Sequence, residues 1–172
     1  MLYPFSILLL LFVVLCVAAS EVDNSIEQRN IIIALHKKLR HNHKDTSALK
    51  WDTILAFQSK QYVKKCDFNR KSDISGFANL IAIDNVASGF KNWNQTINAW
   101  YKGNEYYDYD HPGYTDAAAT FITMVWKDTE RIGCASQECP SGTLYRCLYS
   151  PSIPIHLILD EKEYESNVAT TK

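Results

Sequence analysis

The chain has 172 residues, 47% of them hydrophobic, and a formal net charge of -1 at pH 7. This length suits one domain and is short for two, and the hydrophobic fraction is ample for a packed core. The near-zero charge argues against a polyanionic partner such as nucleic acid.

Residues 1–20 form a continuous apolar run that ends in small side chains. Ala18, Ala19 and Ser20 offer a site of the signal-peptidase type, and the run is short for a bilayer-spanning helix. We therefore predict a cleaved signal peptide. An uncleaved signal anchor is the alternative, because the run contains no Lys or Arg. No second long apolar run follows, so the mature chain is expected to be soluble.

Removal of the signal peptide would take Cys16 with it and leave four cysteines, which are Cys66, Cys134, Cys139 and Cys147. An even number of cysteines in an exported chain predicts two disulfides, and three pairings of four cysteines are possible. Asn94 begins the sequon Asn-Gln-Thr. N-glycosylation at such a sequon takes place only in a secretory route.

Three segments of the mature chain have the periodicity of amphipathic helices. The first is SIEQRNIIIALHKKLRHNH, which has Ser25 as its expected N-cap and a basic face opposite the apolar one. The second follows Asp52, also an expected N-cap. The third is NVASGFKNWNQTINAWYKG, which has large apolar residues at helical spacing and is expected to end at Gly103.

Beyond these helices the pattern changes to that of loops and strands. The segment NEYYDYDHPGYTD predicts a loop. Alternating β-branched and aromatic residues predict strands in ATFITMVWKD, ERIGCASQEC, TLYRCLYSP and IPIHLILD. Residues 161–172 are polar and predict a frayed tail. Three helices followed by three or four strands indicate an α+β fold with helices on a mostly antiparallel sheet.

Four blocks resemble, in the right order, the motifs of the CAP superfamily of cysteine-rich secretory, antigen 5 and plant pathogenesis-related proteins. They are LHKKLR, LKWDTILA, MVWKDTERIGCA and YRCLYSP. The resemblance implies the family fold, a three-layer α-β-α sandwich, for a domain at residues 21–160. It also implies that Cys66 pairs with Cys134, and Cys139 with Cys147.

The central cleft of that family usually holds two His and two Glu, which can bind a metal and act as general bases. The matching positions here are Arg70, Ala78, Gly103 and Thr120. Arg stays protonated at neutral pH, and Ala and Gly have no ligating group. Such a degenerate tetrad implies a protein that is not an enzyme and has no metal or other cofactor. A metal-dependent hydrolase is therefore the least favoured function.

The loop at 106–114 resembles that of fungal family members that bind and export sterols. The candidate ligand-binding residues are Tyr106, Tyr107, Tyr109, Pro112, Gly113 and Tyr114. Tyrosine rings have apolar faces and polar tips, which suit a flat apolar ligand with one hydroxyl. The alternative is that these rings simply cover the helix and sheet beneath them.

The histidines show no metal-ligand spacing. His36 is expected in the core, and His41 and His43, which are two positions apart, are expected at the surface.

We therefore predict a secreted, extracellular or cell-wall-associated protein that binds a sterol or related small lipid without catalysis, nucleic acid or stable membrane insertion. The alternative is a secreted defence or host-interaction protein that acts through an extracellular protein partner.

Overall fold

The computed structural model describes residues 25–68, 82–152 and 160–172. Within these ranges the chain forms five α-helices and a four-stranded sheet. In chain order the elements are α1 (25–41), β1 (Lys50–Trp51), α2 (Thr53–Val63), β2 (Ile83–Ser88), α3 (Trp93–Tyr101), a 3₁₀ helix (Lys102–Tyr106), α4 (Ala119–Val125), β3 (Arg131–Cys139), β4 (Gly142–Ser150) and α5 (Glu161–Asn167). None of these helices combines the length and the apolar character needed to cross a membrane.

The sheet has the strand order β1-β3-β4-β2. β1 pairs with β3 in parallel, whereas β3 and β2 both pair with β4 antiparallel. The predicted mostly antiparallel sheet is therefore confirmed. β4 lies in its interior, and every residue from Leu144 to Ser150 is buried.

Helices cover both faces of the sheet. On one face α2 packs against β4, with Leu55 beside Leu148 and Tyr62 beside Leu144. On the other face Tyr145, Cys147 and Tyr149 join a larger core with side chains of α1, α3 and α4. This arrangement is the predicted three-layer α-β-α sandwich.

Gly133 in β3 allows α2 to lie close to the sheet. A Cβ atom at this position would overlap the backbone of Leu55 and Ala56. The Ser59 hydroxyl donates to the Gly133 carbonyl at 2.8 Å, which holds the helix in this close position. A glycine inside a strand often marks such an approach of two backbones.

The predicted N-terminus of α2 is confirmed, because Asp52 is its N-cap and accepts from the amides of Ile54 and Leu55. Ser25, the expected N-cap of the first helix, is itself helical. The third helix begins later than predicted, since residues 85–88 belong to β2 and α3 begins after the cap residue Asn92. Gly103 does not end the helical path, which continues as the 3₁₀ helix.

The strand predicted in ATFITMVWKD is wrong, because Ala119–Val125 is helix α4. All residues from Phe121 to Trp126 are buried, so alternation in this stretch carries no information about which face is inside. Thr123 fits the helix because its hydroxyl donates to the Ala119 carbonyl at 3.0 Å. The further strand predicted in IPIHLILD, at 153–159, lies outside the described residues.

The predicted frayed tail is wrong as well. Asp160 caps α5 by accepting from the Lys162 amide. Tyr164 of this helix is fully buried in the larger core. The Asn167 side chain accepts from the Asp128 amide at 3.1 Å, which ties the helix to the turn before β3.

The predicted disulfide pairs are also wrong. Cys66 pairs with Cys139, and Cys134 pairs with Cys147. Cys134 and Cys147 are directly opposite each other in the β3–β4 ladder, so their Cα atoms lie only 4.0 Å apart. Cys66 follows α2, on the other face of the sheet from Cys147, and reaches Cys139 at the end of β3. Disulfides of this kind form in oxidising compartments.

Arg40 of α1 is fully buried, although arginine is seldom fully buried unless its charge is paired. Its Nε donates to the Ser47 carbonyl at 2.6 Å. Its Nη1 donates to the Met124 and Trp126 carbonyls at 2.8 and 2.9 Å, and its Nη2 donates to the Thr129 carbonyl at 3.2 Å. Burial lowers the pKa of Arg40 to about 10, so the guanidinium stays charged at neutral pH.

His36 is buried as predicted. Its Nδ1 lies 2.8 Å from the Ile32 carbonyl and its Nε2 lies 2.9 Å from the Tyr149 hydroxyl. The carbonyl can only accept, so Nδ1 carries the proton and Nε2 accepts from Tyr149. Burial lowers the pKa of His36 from 6.5 to about 4.

Replacing Arg40 is expected to cost far more than replacing an exposed cation of the same helix. Arg40→Met should lower the free energy of unfolding by about 3–5 kcal/mol, because it leaves buried carbonyls without donors. Lys38→Met, at an exposed site, should change it by no more than about 0.5 kcal/mol. Urea denaturation with the disulfides intact measures both, and equal losses would contradict the role given to Arg40.

Mild acid is expected to weaken the fold through His36. The unfolded chain takes up a proton at this residue below pH 6.5, whereas the folded chain does so only near pH 4. The free energy of unfolding should therefore fall by roughly 3 kcal/mol as the pH drops across this window. Urea midpoints between pH 7 and pH 4.5 measure the slope. It should persist in the exposed-site control His41→Gln, and a flat profile would refute the prediction.

Candidate functional site

Two positions of the predicted degenerate tetrad, Gly103 and Thr120, are described, whereas Arg70 and Ala78 lie outside the described residues. Gly103 is buried against α4, and a Cβ atom there would lie 2.9 Å from the Phe121 Cβ and 3.1 Å from the Ala117 carbonyl. A side chain at this position would therefore force its neighbours to shift. The Thr120 hydroxyl donates to the Trp100 carbonyl at 3.0 Å and so links α4 to α3.

A small cleft of about 160 Å³ lies between β2 and α4. Asp84 and Asn85 line it from β2, Thr120 and Thr123 line it from α4, and Tyr114 contributes from the preceding loop. The Asn85 amide donates to the Thr120 carbonyl at 2.9 Å. The polar side chains of the cleft are thus largely engaged in bonds within the protein.

Asp84 is the one carboxylate among the residues that line this cleft. Its Oδ2 accepts from the Arg146 Nε at 2.8 Å, and both side chains are almost fully buried. Arg146 also stacks on the Tyr62 ring, with its guanidinium carbon 4.3 Å from the ring centroid. A carboxylate held in this way is a structural ion pair and a poor general base. Across the described ranges, no group of three or more His, Cys, Asp or Glu side chains is arranged to hold a metal ion.

Residues 106–114, which we call the tyrosine loop, present their rings in two directions. Tyr106 and Tyr114 are 64% and 47% exposed, whereas Tyr107 is only 7% exposed. Tyr107 therefore agrees with the alternative that these rings cover the structure beneath them. Its ring makes edge contact with Tyr109, with 4.9 Å between centroids, and packs on Phe121 of α4. The tyrosine loop thus combines a buried ring at Tyr107 with exposed rings at Tyr106 and Tyr114.

The hydroxyl groups of the two inner rings differ in their bonding. The Tyr109 hydroxyl donates to the Asn104 side chain at 3.0 Å, and burial raises the pKa of Tyr109 to about 12. The Tyr107 hydroxyl is buried and has no hydrogen-bond partner among the described residues. Burial also raises the pKa of Tyr107, so its proton remains available for donation.

Hydrogen bonds fix the shape of the tyrosine loop. Asp108 Oδ1 accepts from the amides of Asp110 and His111, and its Oδ2 lies 3.1 Å from the His111 Nδ1. The bond from the Asp110 amide is the main reason why the pKa of Asp108 is lowered. Pro112 and Gly113 follow and are half-buried. The Tyr114 hydroxyl then donates to Asp116 at 3.0 Å, which orients the second exposed ring.

His43 packs on Phe121, the residue that also contacts Tyr107 of the tyrosine loop, although the sequence predicts His43 at the surface. It is fully buried, and its ring packs on Phe121 and Tyr101. Its Nδ1 donates to the Ala169 carbonyl at 2.7 Å and its Nε2 accepts from the Tyr101 hydroxyl at 2.8 Å. No local sequence pattern indicates that His43 is buried, because the residues that it contacts are distant in sequence.

The profile of the cysteine-rich secretory protein family (CAP) matches residues 33–149. Over 106 residues the chain is 31% identical to the protein PRY2 of Saccharomyces cerevisiae. Over 110 residues it is 28% identical to the glioma pathogenesis-related protein 1 of Mus musculus. Each match covers 60% of this chain but only 30% and 43% of the two relatives, so the chain spans less than half the length of each.

Among solved structures, the venom allergen-like protein 4 of Schistosoma mansoni has the same fold, with a TM-score of 0.65 and 25% identity. The superposition covers 73% of this chain and 88% of that one.

The close contacts around Gly103 predict that any side chain at this position destabilises the fold. Gly103→Ala should lower the free energy of unfolding by about 1–3 kcal/mol through overpacking against Phe121, and Gly103→Glu should lower it further. Gly113→Ala is the matched control, because nothing lies within 4 Å of a Cβ atom there. Thermal and urea denaturation measure these effects, and a Gly103→Glu variant as stable as the parent would contradict the packing described.

Proposed function

Because the chain belongs to the cysteine-rich secretory protein (CAP) family, we propose that it is a secreted, non-catalytic protein that binds a sterol or related small lipid on its tyrosine loop. The observation that carries this proposal is the exposure of Tyr106 and Tyr114 on a loop whose shape is fixed by hydrogen bonds. Such a loop loses little conformational freedom when a ligand binds, so more of the contact energy contributes to affinity.

The exposed rings supply the apolar contact. Covering their free faces would remove on the order of 200 Å² of apolar surface from water, which is about 5 kcal/mol before the cost of association. That is a moderate driving force, in keeping with a carrier that must also release its ligand.

The ligand is expected to lie across the tyrosine loop and not inside the cleft. The cleft measures about 160 Å³. Pockets that enclose drug-sized molecules measure about 300–1,000 Å³. Tyr114 borders both the loop and the cleft, so part of the ligand can enter beside this residue.

Tyr107 supports the loop and does not meet a ligand that lies across it, because its ring is 7% exposed and its hydroxyl is buried. Its ring contacts with Tyr109 and Phe121 hold the loop on the core. A sterol has one hydroxyl group and otherwise apolar faces, which suits exposed rings with polar tips.

Two further features support export and binding over catalysis. The two disulfides fit an oxidising compartment, which agrees with a signal peptide at residues 1–20. Asp84, the carboxylate of the cleft, is committed to Arg146, and lipid binding needs no catalytic group.

Titration of the purified protein with a fluorescent sterol tests the proposal. Tyr106→Ala and Tyr114→Ala should each raise Kd about tenfold, the equivalent of about 1.4 kcal/mol, without changing Tm. Tyr107→Phe, which keeps the buried ring and removes only the buried hydroxyl, should leave Kd unchanged. Phe57→Ala, at an exposed ring on α2, should leave Kd unchanged. The absence of saturable binding, or an unaltered Kd in the Tyr106/Tyr114 double variant, would refute the proposal.

An exposed apolar pair on α2 favours a second candidate function, that of a defence or host-interaction protein. Ile54 and Phe57 are 59% and 63% exposed and lie one helical turn apart. If an extracellular protein partner binds there, Ile54→Ser with Phe57→Ser should abolish its capture, whereas the Tyr106/Tyr114 double variant should retain it. The reverse result would locate protein contacts at the tyrosine loop.

A further inference from the structure

A groove of about 1260 Å³ lies where the first turns of α1, the end of α2, the start of α3 and the β3–β4 hairpin meet. Asn94 of α3 lines it, together with Gln28, Lys60, Lys64, Lys91 and Gln137. Its size exceeds the range of about 300–1,000 Å³ that is usual for drug-sized ligands. The groove is therefore large enough for an extended, polar occupant.

The charge of the groove favours an uncharged occupant. Its three lysines are nearly balanced by two carboxylates, Glu27 and Glu138. Amide and hydroxyl side chains make up much of the remaining lining. Many hydrogen-bonding groups with little net charge suit a polyhydroxy ligand better than an anion.

Asn94 is positioned to carry such a ligand covalently. It begins the sequon and is exposed on the first turn of α3. Its Oδ1 accepts from the Asn98 amide at 2.8 Å, which fixes the orientation of the carboxamide. This hydrogen bond does not involve the Asn94 Nδ2, which is the atom to which an N-linked sugar is joined. A glycan can therefore be attached to Asn94 without breaking the hydrogen bond to Asn98.

The third residue of the sequon indicates when attachment takes place. Thr96 is fully buried, and its hydroxyl donates to the Asn92 carbonyl at 3.0 Å. In the folded chain a glycosyltransferase cannot reach this hydroxyl, because it is buried. Attachment must therefore precede the folding of α3, during entry into the secretory route.

We propose that Asn94 carries an N-linked oligosaccharide whose first sugars lie in this groove. In the transfer, Nδ2 forms a bond to the anomeric carbon of the sugar and loses one proton, and a lipid diphosphate carrier leaves from that carbon. The lysine and glutamine side chains of the groove then bind sugar hydroxyls. This inference depends on the proposed export and is independent of lipid binding at the tyrosine loop.

The mass of the protein secreted by a eukaryotic cell line, from the full chain with its own residues 1–20, tests the modification. We expect one glycan, lost in Asn94→Gln and retained in Thr96→Ser, which keeps the sequon hydroxyl. A secreted parent protein of unmodified mass, or a glycan that persists in Asn94→Gln, would overturn the proposal. Sterol titration of the same samples is read separately, because failure there leaves the glycan result intact.

Acylation of lysines by an amine-reactive reagent, followed by peptide mass analysis, tests the place of the glycan. Lys60, Lys64 and Lys91 should react at least threefold more slowly in the glycosylated protein than after endoglycosidase trimming to a single sugar. Lys44 and Lys162, which lie outside the groove, should react equally in both. Equal rates at the groove lysines would show that the glycan extends into solvent and would overturn its placement.

Discussion

The guanidinium of Arg40 holds four segments of the chain together. Its donors occupy carbonyls at the end of α4 and in the turns before β1 and β3, so none of these groups is left unpaired in the core. Unpaired carbonyls there would each carry a desolvation cost. Helix α4 in turn supplies Phe121, on which Tyr107, Tyr101 and His43 pack. The tyrosine loop is thus positioned through a charge that lies far from it in sequence.

Local signals predict some elements of the fold well. Asp52, as an N-cap residue, predicts the start of α2. Two strand-like segments on either side of Pro140 and Ser141 predict the strands of the β3–β4 hairpin. Helix α4 could not be predicted from its pattern, because burial on every side removes the difference between a period of 2 and one of 3.6. The disulfide pairs depend on strand register, which places Cys134 opposite Cys147, and on the face that α2 covers. The sequence around the cysteines indicates neither this register nor the face of the sheet that α2 covers.

The candidate site is predictable in its location and not in its detail. The sequence indicates the tyrosine loop and predicts a cleft without the His and Glu residues of the family. It does not separate the exposed Tyr106 from the buried Tyr107, because that difference arises from contact with Phe121. The same holds for His43, whose partners Tyr101 and Ala169 come from distant parts of the chain. Contacts between side chains that are distant in sequence produce no recognisable pattern in the local sequence.

The contact between Gly103 and Phe121 also limits which substitutions the chain tolerates. A Cβ atom at residue 103 would meet the Phe121 Cβ, the Ala117 carbonyl and the Ala118 Cα, so any side chain there would force its neighbours to shift. A smaller residue at 121 would not relieve this contact, because every residue except glycine has a Cβ atom. Room for a side chain at 103 would require a different backbone path before α4, and a single substitution at either position does not supply one.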